Sequence, residues 1–462
     1  MSQIAVTSVT AGAALVALGL LVPAVRRARA AGDLDASAAL TLGIAWLVSL
    51  PSTLVAISGG APSRQDAFGE LFAIFPGWYQ QALDVTVLLA AALAGLLLFK
   101  RLTSQRVPVH TAGLLAILLW AVAQLASGLR GGPLLSPRAG VLLVCLMAAT
   151  VLPRGRGACL GAGIFGVTLA VVSGALTVFR YDVAFVPCSR KCTVLGSLLT
   201  GVYPNANLLG LALVAAIPFA YLGFRGRARI LFPLYLAGMT LATGSRTASV
   251  AAVATVIALL IVRPRVDADR AAPGRIAIAG LVLAGAVVGS VYVIQHEWNS
   301  FALTARPALW RVASTYVHDS PWFGYGPEKW ASLTQSSRIP ADAAYSVHNQ
   351  WLDVLFVAGG VGAALFVSMV VAALVTSGNA RPGVLITLAT IVVVGTTERP
   401  WSVGSLDWLS FSLVALILTG ATGGGGTFHS KAKLSAARSR RTAYAYPEPI
   451  RLRTPRTGSS LR

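Results

Sequence analysis

The sequence predicts an all-α protein: a polytopic transmembrane helical bundle of about 12–14 spans, with one large external loop carrying short amphipathic helices. Three observations predict it. The 462 residues are 56% hydrophobic and only 11% charged, where a soluble protein carries about 25% charged residues. Many apolar runs reach the roughly 18–20 residues that cross a bilayer. The basic residues gather in alternate connections, as they do when successive spans reverse direction.

In chain order the apolar runs place spans near 5–25, 37–58, 82–99, 111–128, 139–152, 158–178, 201–222, 230–243, 247–262, 276–294, 348–376, 383–396 and 406–420. The runs at 139–152 and 230–243 are short, which fits tilted or re-entrant segments. The first run lacks a charged start and a small-residue cleavage site, so it reads as a retained span. These spans form one bundle over 1–420, with a large loop at 296–346. The remainder, 421–462, opens on Gly423–Gly426 and is basic and poor in aliphatics. It reads as a disordered tail with affinity for anionic headgroups or simply as a solvated one.

The net charge of +21 encodes orientation rather than nucleic-acid binding. One set of connections holds Arg26, Arg27 and Arg29; Lys100, Arg101 and Arg106; Arg154 and Arg156; Arg225, Arg227 and Arg229; Arg263, Arg265, Arg270 and Arg275; and Arg381. The tail continues the set. The opposite connections are nearly neutral. The positive-inside rule then puts the tail in the cytoplasm and the 296–346 loop outside the cytoplasmic membrane.

Several chemistries lack their signatures. There is no phosphate-cradling Gly-Lys-Ser/Thr motif and no dinucleotide fingerprint. Asp33-Leu-Asp35 and Asp267-Ala-Asp269 fall in predicted cytoplasmic linkers, and no external loop clusters carboxylates at metal spacing. No cofactor or metal is expected. Cys145 and Cys159 sit in apolar runs and read as packing residues. Cys188 and Cys192 share an external loop, where the oxidising side of the membrane permits a local disulfide.

Ionisable residues at membrane depth are costly and therefore informative. Arg246 lies in a tight Gly244-Ser245-Arg246-Thr247 turn between two spans. A guanidinium, the Ser245 hydroxyl and backbone N–H groups at a helix start form an anion-binding arrangement. The alternative is an arginine snorkelling to the interface. Arg306, Leu309, Trp310 and Ala313 recur at helical spacing and share one face of a surface helix. Arg311 and His318 lie on another face that reads as solvated. Pro321-Trp322-Phe323-Gly324-Tyr325-Gly326-Pro327 is a sharp turn that folds the loop back. Trp322 and Tyr325, with Trp330, fit sugar stacking or an interfacial belt, the latter being favoured. Ser346 is read as capping the next helix, which places His348 in its first turn. Asn349 and Asp353 stand near enough to orient the imidazole, so His348 is the candidate base.

The order of these motifs resembles the O-antigen ligase and polymerase superfamily of bacterial membrane glycosyltransferases. The residues that carry the resemblance are Tyr203-Pro204-Asn205-x-Asn207, the Gly-Ser-Arg turn, Arg306-x-x-x-Trp310, the Pro321–Pro327 turn, His348-Asn349 and Gly359-Gly360-x-Gly362. They span about 200–362 and imply a ligase-like core over 200–400 in a GT-C-like bundle. The resemblance implies metal-independent transfer of a glycan from a polyprenyl diphosphate carrier to an acceptor glycan, lipid or protein. It assigns the diphosphate to Arg246 and Arg306 and the acceptor proton to His348; the residue-level reading adds Ser245, Asn349, Asp353 and Arg311 as supporting candidates. The competing expectation is a polysaccharide transporter or lipid flippase. Such proteins show paired repeats and charges at mid-membrane depth, and the sequence has no internal repeat.

Overall fold

A computed structural model describes residues 2–61, 63–65, 71–104, 107–187, 192–266, 271–299, 303, 306–335, 339 and 346–420. The Asp267/Asp269 pair, Cys188 and the 421–462 tail fall outside the described residues. Residues Met1–Ala421 gather into one compact unit.

The helices are α1 (Gln3–Ala30), α2 (Ala36–Ser58), α3 (Trp78–Leu102), α4 (Thr111–Leu129), α5 (Pro137–Val151), α6 (Arg156–Phe179), α7 (Tyr181–Ala184), α8 (Ala206–Gly223), α9 (Ala228–Ala242), α10 (Arg246–Val262), α11 (Pro273–Gln295), α12 (Arg306–Asp319), α13 (Lys329–Gln335), α14 (Gln350–Val375), α15 (Arg381–Gly395) and α16 (Ser410–Leu418). Two small antiparallel ribbons lie in connections. One pairs Ser63–Gln65 with Leu71–Ala73, and the other pairs Phe185–Pro187 with Ser197–Leu199. The protein is all-α and polytopic, as expected.

Every expected span is a helix, but their lengths differ from expectation. Among the described residues nine helices, α15 being counted with the Gly378–Ala380 turn that leads into it, are long and apolar enough to cross a membrane, and α5, α9 and α10 are shorter apolar helices. At 1.5 Å per residue, α5, α9 and α10 reach only ~22–26 Å against a hydrocarbon core of ~30 Å. The expected span at 406–420 shrinks to the nine residues of α16. Its approach is a polar turn in which Asp407 accepts from Leu409 N and Ser410 Oγ, both at 3.0 Å. The expected span at 201–222 begins later, because Asn205 caps α8 by accepting from Asn207 N at 2.7 Å. That capping role is the structural part played by the Asn-rich element.

The core is built around α6, which packs on α1, α2 and α8 and is buried along most of its length. Small residues permit this approach. A Cβ on Gly223 would stand 2.5 Å from the Leu160 backbone, and one on Gly163 would stand 2.8 Å from Ala220 Cα. Lipid offers no hydrophobic drive between helices, so close backbone packing of this kind supplies the attraction. By contrast α11 leaves most of its surface exposed, as a lipid-facing helix does.

The two ends of the bundle differ in chemistry. One end is basic. There Arg225 pairs with Asp33 at 2.9 Å, Arg101 Nε donates to Val151 O, and Arg154 Nε donates to Ile417 O. The other end gathers the starts of α10, α12 and α14 with the loop that follows α15.

Candidate active site

At that end α12 lies with Pro307, Leu309, Trp310 and Ala313 buried, while Arg311, Ser314, Thr315 and His318 face out. This is the amphipathic division that the helical spacing predicts. Arg306 opens the helix, and Trp310 Nε1–H donates to His348 O at 3.2 Å. The greasy face therefore carries an arginine toward the histidine.

His348 stands just ahead of α14, not in its first turn. The reason is local. Asn349 is the N-cap, its Oδ1 accepting from Leu352 N at 2.9 Å. Ser346 Oγ instead accepts from His348 N at 3.1 Å, closing a tight turn. His348 takes φ +56°, a left-handed conformation that few non-glycine residues adopt and that clusters at functional sites.

The partner of the imidazole is also different from expectation. Glu398, in the loop after α15, is almost wholly buried. One oxygen, Oε2, accepts from His348 Nδ1–H at 3.0 Å, and the other, Oε1, accepts from Arg306 Nη2. One carboxylate thus joins the predicted base to a predicted phosphate-binding cation. The side chains of Arg306 and His348 keep 13% and 14% of their surface exposed, against 2% for Glu398, so the carboxylate sits behind both.

Asp353, expected beside the imidazole, pairs instead with Arg399 at 3.9 Å, and Arg399 also reaches Asp407 at 3.7 Å. Burial pushes the Asp407 carboxyl above its usual range, with Arg399 opposing the shift. The loop that carries Glu398 and Arg399 is fixed on several sides. Asn349 Nδ2 donates to Thr396 O at 2.9 Å, Thr396 Oγ1 donates to Ser290 Oγ on α11 at 2.8 Å, and Gln350 exchanges two bonds with the Trp401 backbone.

Arg246 is the first residue of α10 and is exposed. Gly244 takes φ +64° at the turn before it. Ser245 is buried at the N-cap position without a side-chain capping bond. The start of α10 is tied to the Glu398 loop, since Thr247 Oγ1 and Thr397 Oγ1 share a hydrogen bond of 2.7 Å. Arg311 is exposed on the outer face of α12. Trp330 is not interfacial: it is buried edge-on against Phe356, which Tyr325 and Tyr316 also flank. Trp322 alone of the turn's two sugar-stacking candidates is widely exposed.

The Pro321–Pro327 turn and the Gly359-Gly360 pair form one device. Helix α14 breaks at Gly359, φ +64°. Tyr325 N and Gly326 N donate to Phe356 O and Val357 O at 2.9 Å, while Gly360 N and Val361 N donate to Pro321 O and Trp322 O at 2.7 and 3.1 Å. The turn takes up backbone groups that the break releases, as an apolar setting requires. Arg130 fastens it to α4 by donating to Ser320 Oγ at 2.7 Å and lying 4.7 Å from the centroid of the Tyr325 ring.

Sequence reasoning missed Glu398, Arg399 and Asp407. A signal was present: Glu398 and Arg399 are the charged residues of a short connection between two predicted spans, on the side of Arg246. Among the described residues no group of three or more His, Cys, Asp and Glu side chains gathers to hold a metal ion.

Part of the chain is similar to known proteins. Residues 231–367 match the family model described as O-Antigen ligase. That region includes Arg246, Arg306, His348 and Asp353 and ends before Glu398. An O-antigen ligase of Pseudomonas aeruginosa is 30% identical over 267 residues, covering 53% of this chain and 61% of the relative. The chain thus spans about three-fifths of that curated relative's length.

Proposed function

We propose that this chain, which matches the O-antigen ligase family model over residues 231–367 and resembles a curated O-antigen ligase, is a membrane glycosyltransferase of surface polysaccharide assembly. It moves a glycan from a polyprenyl diphosphate carrier to an acceptor hydroxyl, at the outer face of the cytoplasmic membrane. The acceptor is a glycan, lipid or protein. The observation that carries the reading is the meeting of Arg306 and His348 on the single buried carboxylate of Glu398. A cation for the leaving group and a base for the nucleophile thereby stand one carboxylate apart.

In this mechanism the guanidiniums of Arg306 and Arg246 hold the carrier's diphosphate. The bond between the sugar's anomeric carbon and the phosphate oxygen breaks, and its electron pair stays on the diphosphate. Two guanidiniums stabilise that growing charge with no need of a metal. The acceptor oxygen forms the new bond to the anomeric carbon. Its proton passes to Nε2 of His348, because Nδ1–H is held by Glu398.

The test is transfer in vitro from a purified polyprenyl diphosphate glycan. Product should form in the presence of chelator, and loss of product on chelation rules out the metal-free form. Movement of the carrier lipid across the bilayer without product would make the protein a transporter instead.

A further inference from the structure

We propose that Glu398 is a positioning residue that couples donor binding to the support of the base. Its carboxylate is shared between Arg306 and His348 until the donor's diphosphate takes the guanidinium, and it then turns to His348. The proposal rests on the transfer reading above and concerns a residue beyond the family-matched segment.

The sharing is explicit in the geometry. Oε1 faces Arg306 Nη2 and Oε2 faces His348 Nδ1, so the carboxylate has one oxygen for each partner. Glu398 is nearly sealed off while both partners keep some exposure. An incoming ligand therefore meets the guanidinium and the imidazole first, and the carboxylate last. A diphosphate brings at least two negative charges up to a site that already holds a buried one. The two anions compete for the same guanidinium, and like charges in a poorly hydrated site repel strongly.

Glu398 cannot withdraw from this competition by moving away as a whole. Its neighbour Thr397 is bonded to Thr247, Thr396 O accepts from Asn349, and Glu398 N donates to Val394 O at 3.0 Å. What remains is a shift of the carboxylate toward His348. There it holds the proton on Nδ1 and stabilises the imidazolium that forms as Nε2 takes the acceptor's proton. The imidazolium gains the undivided carboxylate only when donor is in place, which disfavours deprotonating an acceptor that has nothing to attack.

A carboxylate that merely clamps α12 to the α15 loop makes a different prediction. Its loss would weaken donor binding and turnover together. Coupling requires them to move in opposite directions. The test uses the full chain in nanodiscs with farnesyl diphosphate as the binding probe and the glycan-transfer assay for rate. Glu398→Gln is expected to bind farnesyl diphosphate several-fold more tightly, since the competing charge is gone, while kcat falls by about 100-fold. Glu398→Asp keeps the charge and shortens its reach, so it guards against misfolding of the first variant. It is expected to bind the probe at least as tightly as wild type with kcat reduced less than in Glu398→Gln. Weaker probe binding by either variant, or an unchanged kcat in Glu398→Gln, overturns the coupling and leaves the transfer reading standing. A wild-type chain that neither binds the probe nor transfers glycan overturns both.

Discussion

Arg306, His348 and Arg246 illustrate how far single residues can be read. Each is an ionisable group at the boundary of an apolar chain, where an unpaired charge is expensive and a purposeful one is common. That argument singled them out as candidates without coordinates. It did not find Glu398, although the same rule covers it, because a carboxylate's role depends on which cations surround it. It also offered Asn349 and Asp353 as groups that could orient the imidazole from sequence proximity, whereas Asn349 caps α14 and Asp353 turns to Arg399. Substitution of His348 by Ala should cut turnover by roughly 100- to 10,000-fold, the range for removing a general base. Arg306→Ala and Arg246→Ala should each cost about 100- to 1,000-fold, as for a lost charge-stabilising donor. All three should reach the membrane at wild-type levels on immunoblots, with the losses read in the transfer assay. Asn349 is a structural counterpart: it caps α14 and holds Thr396 O. Its replacement by Ala should cost about 1 kcal/mol for the cap alone, more with the buried carbonyl left unpaired, and lower the Tm in detergent.

At the scale of elements, the interlock of the Pro321–Pro327 turn with broken α14 matters most. The sequence showed two glycine-rich strings as separate motifs, and the fold joins them through four backbone hydrogen bonds. Gly359 is required twice over. Its φ is +64°, and a Cβ there would lie 2.3 Å from the Trp322 carbonyl. Gly359→Ala should therefore destabilise by more than the ~1–2 kcal/mol of a left-handed alanine, and should loosen the turn from the helix. Gly285→Ala on α11 is the matched control, since a Cβ there meets nothing within 4 Å. Its Tm should stay level or rise, because alanine favours a helix over glycine by about 1 kcal/mol. Equal losses in the two variants would show that the interlock contributes nothing special.

For the whole molecule, the alternation of charge along the chain is the topology argument, and the fold is consistent with it. Arg225, Arg101 and Arg154 meet their partners at one end of the bundle, and the candidate site forms at the other. Orientation in the cell can be read by thiol labelling. Cys145 and Cys159 are free but buried, and Cys192 is disulfide-bonded, so their background should be low. A membrane-impermeant maleimide applied to intact cells should label Trp322→Cys, a widely exposed position at the site end. It should label Arg227→Cys, exposed at the basic end, only after lysis. The reverse pattern would place the site in the cytoplasm and end the proposal of exoplasmic transfer.

By itself the sequence determined the all-α membrane-spanning class, the order of the spans and the amphipathic face of α12. These follow from hydropathy and period, which act along the chain over one helix or less. It also singled out His348, Arg306 and Arg246, because charge in an apolar chain is conspicuous locally. Only the tertiary structure decided the rest: that Glu398, some 50 to 90 residues from its partners, joins His348 to Arg306; that Asp353 belongs to Arg399; that α14 is broken and mended by a distant turn; and that Trp330 is buried. Each of these depends on side chains or backbone groups brought together from separate elements, and hydrogen-bond complementarity across such distances leaves no periodic trace in the chain.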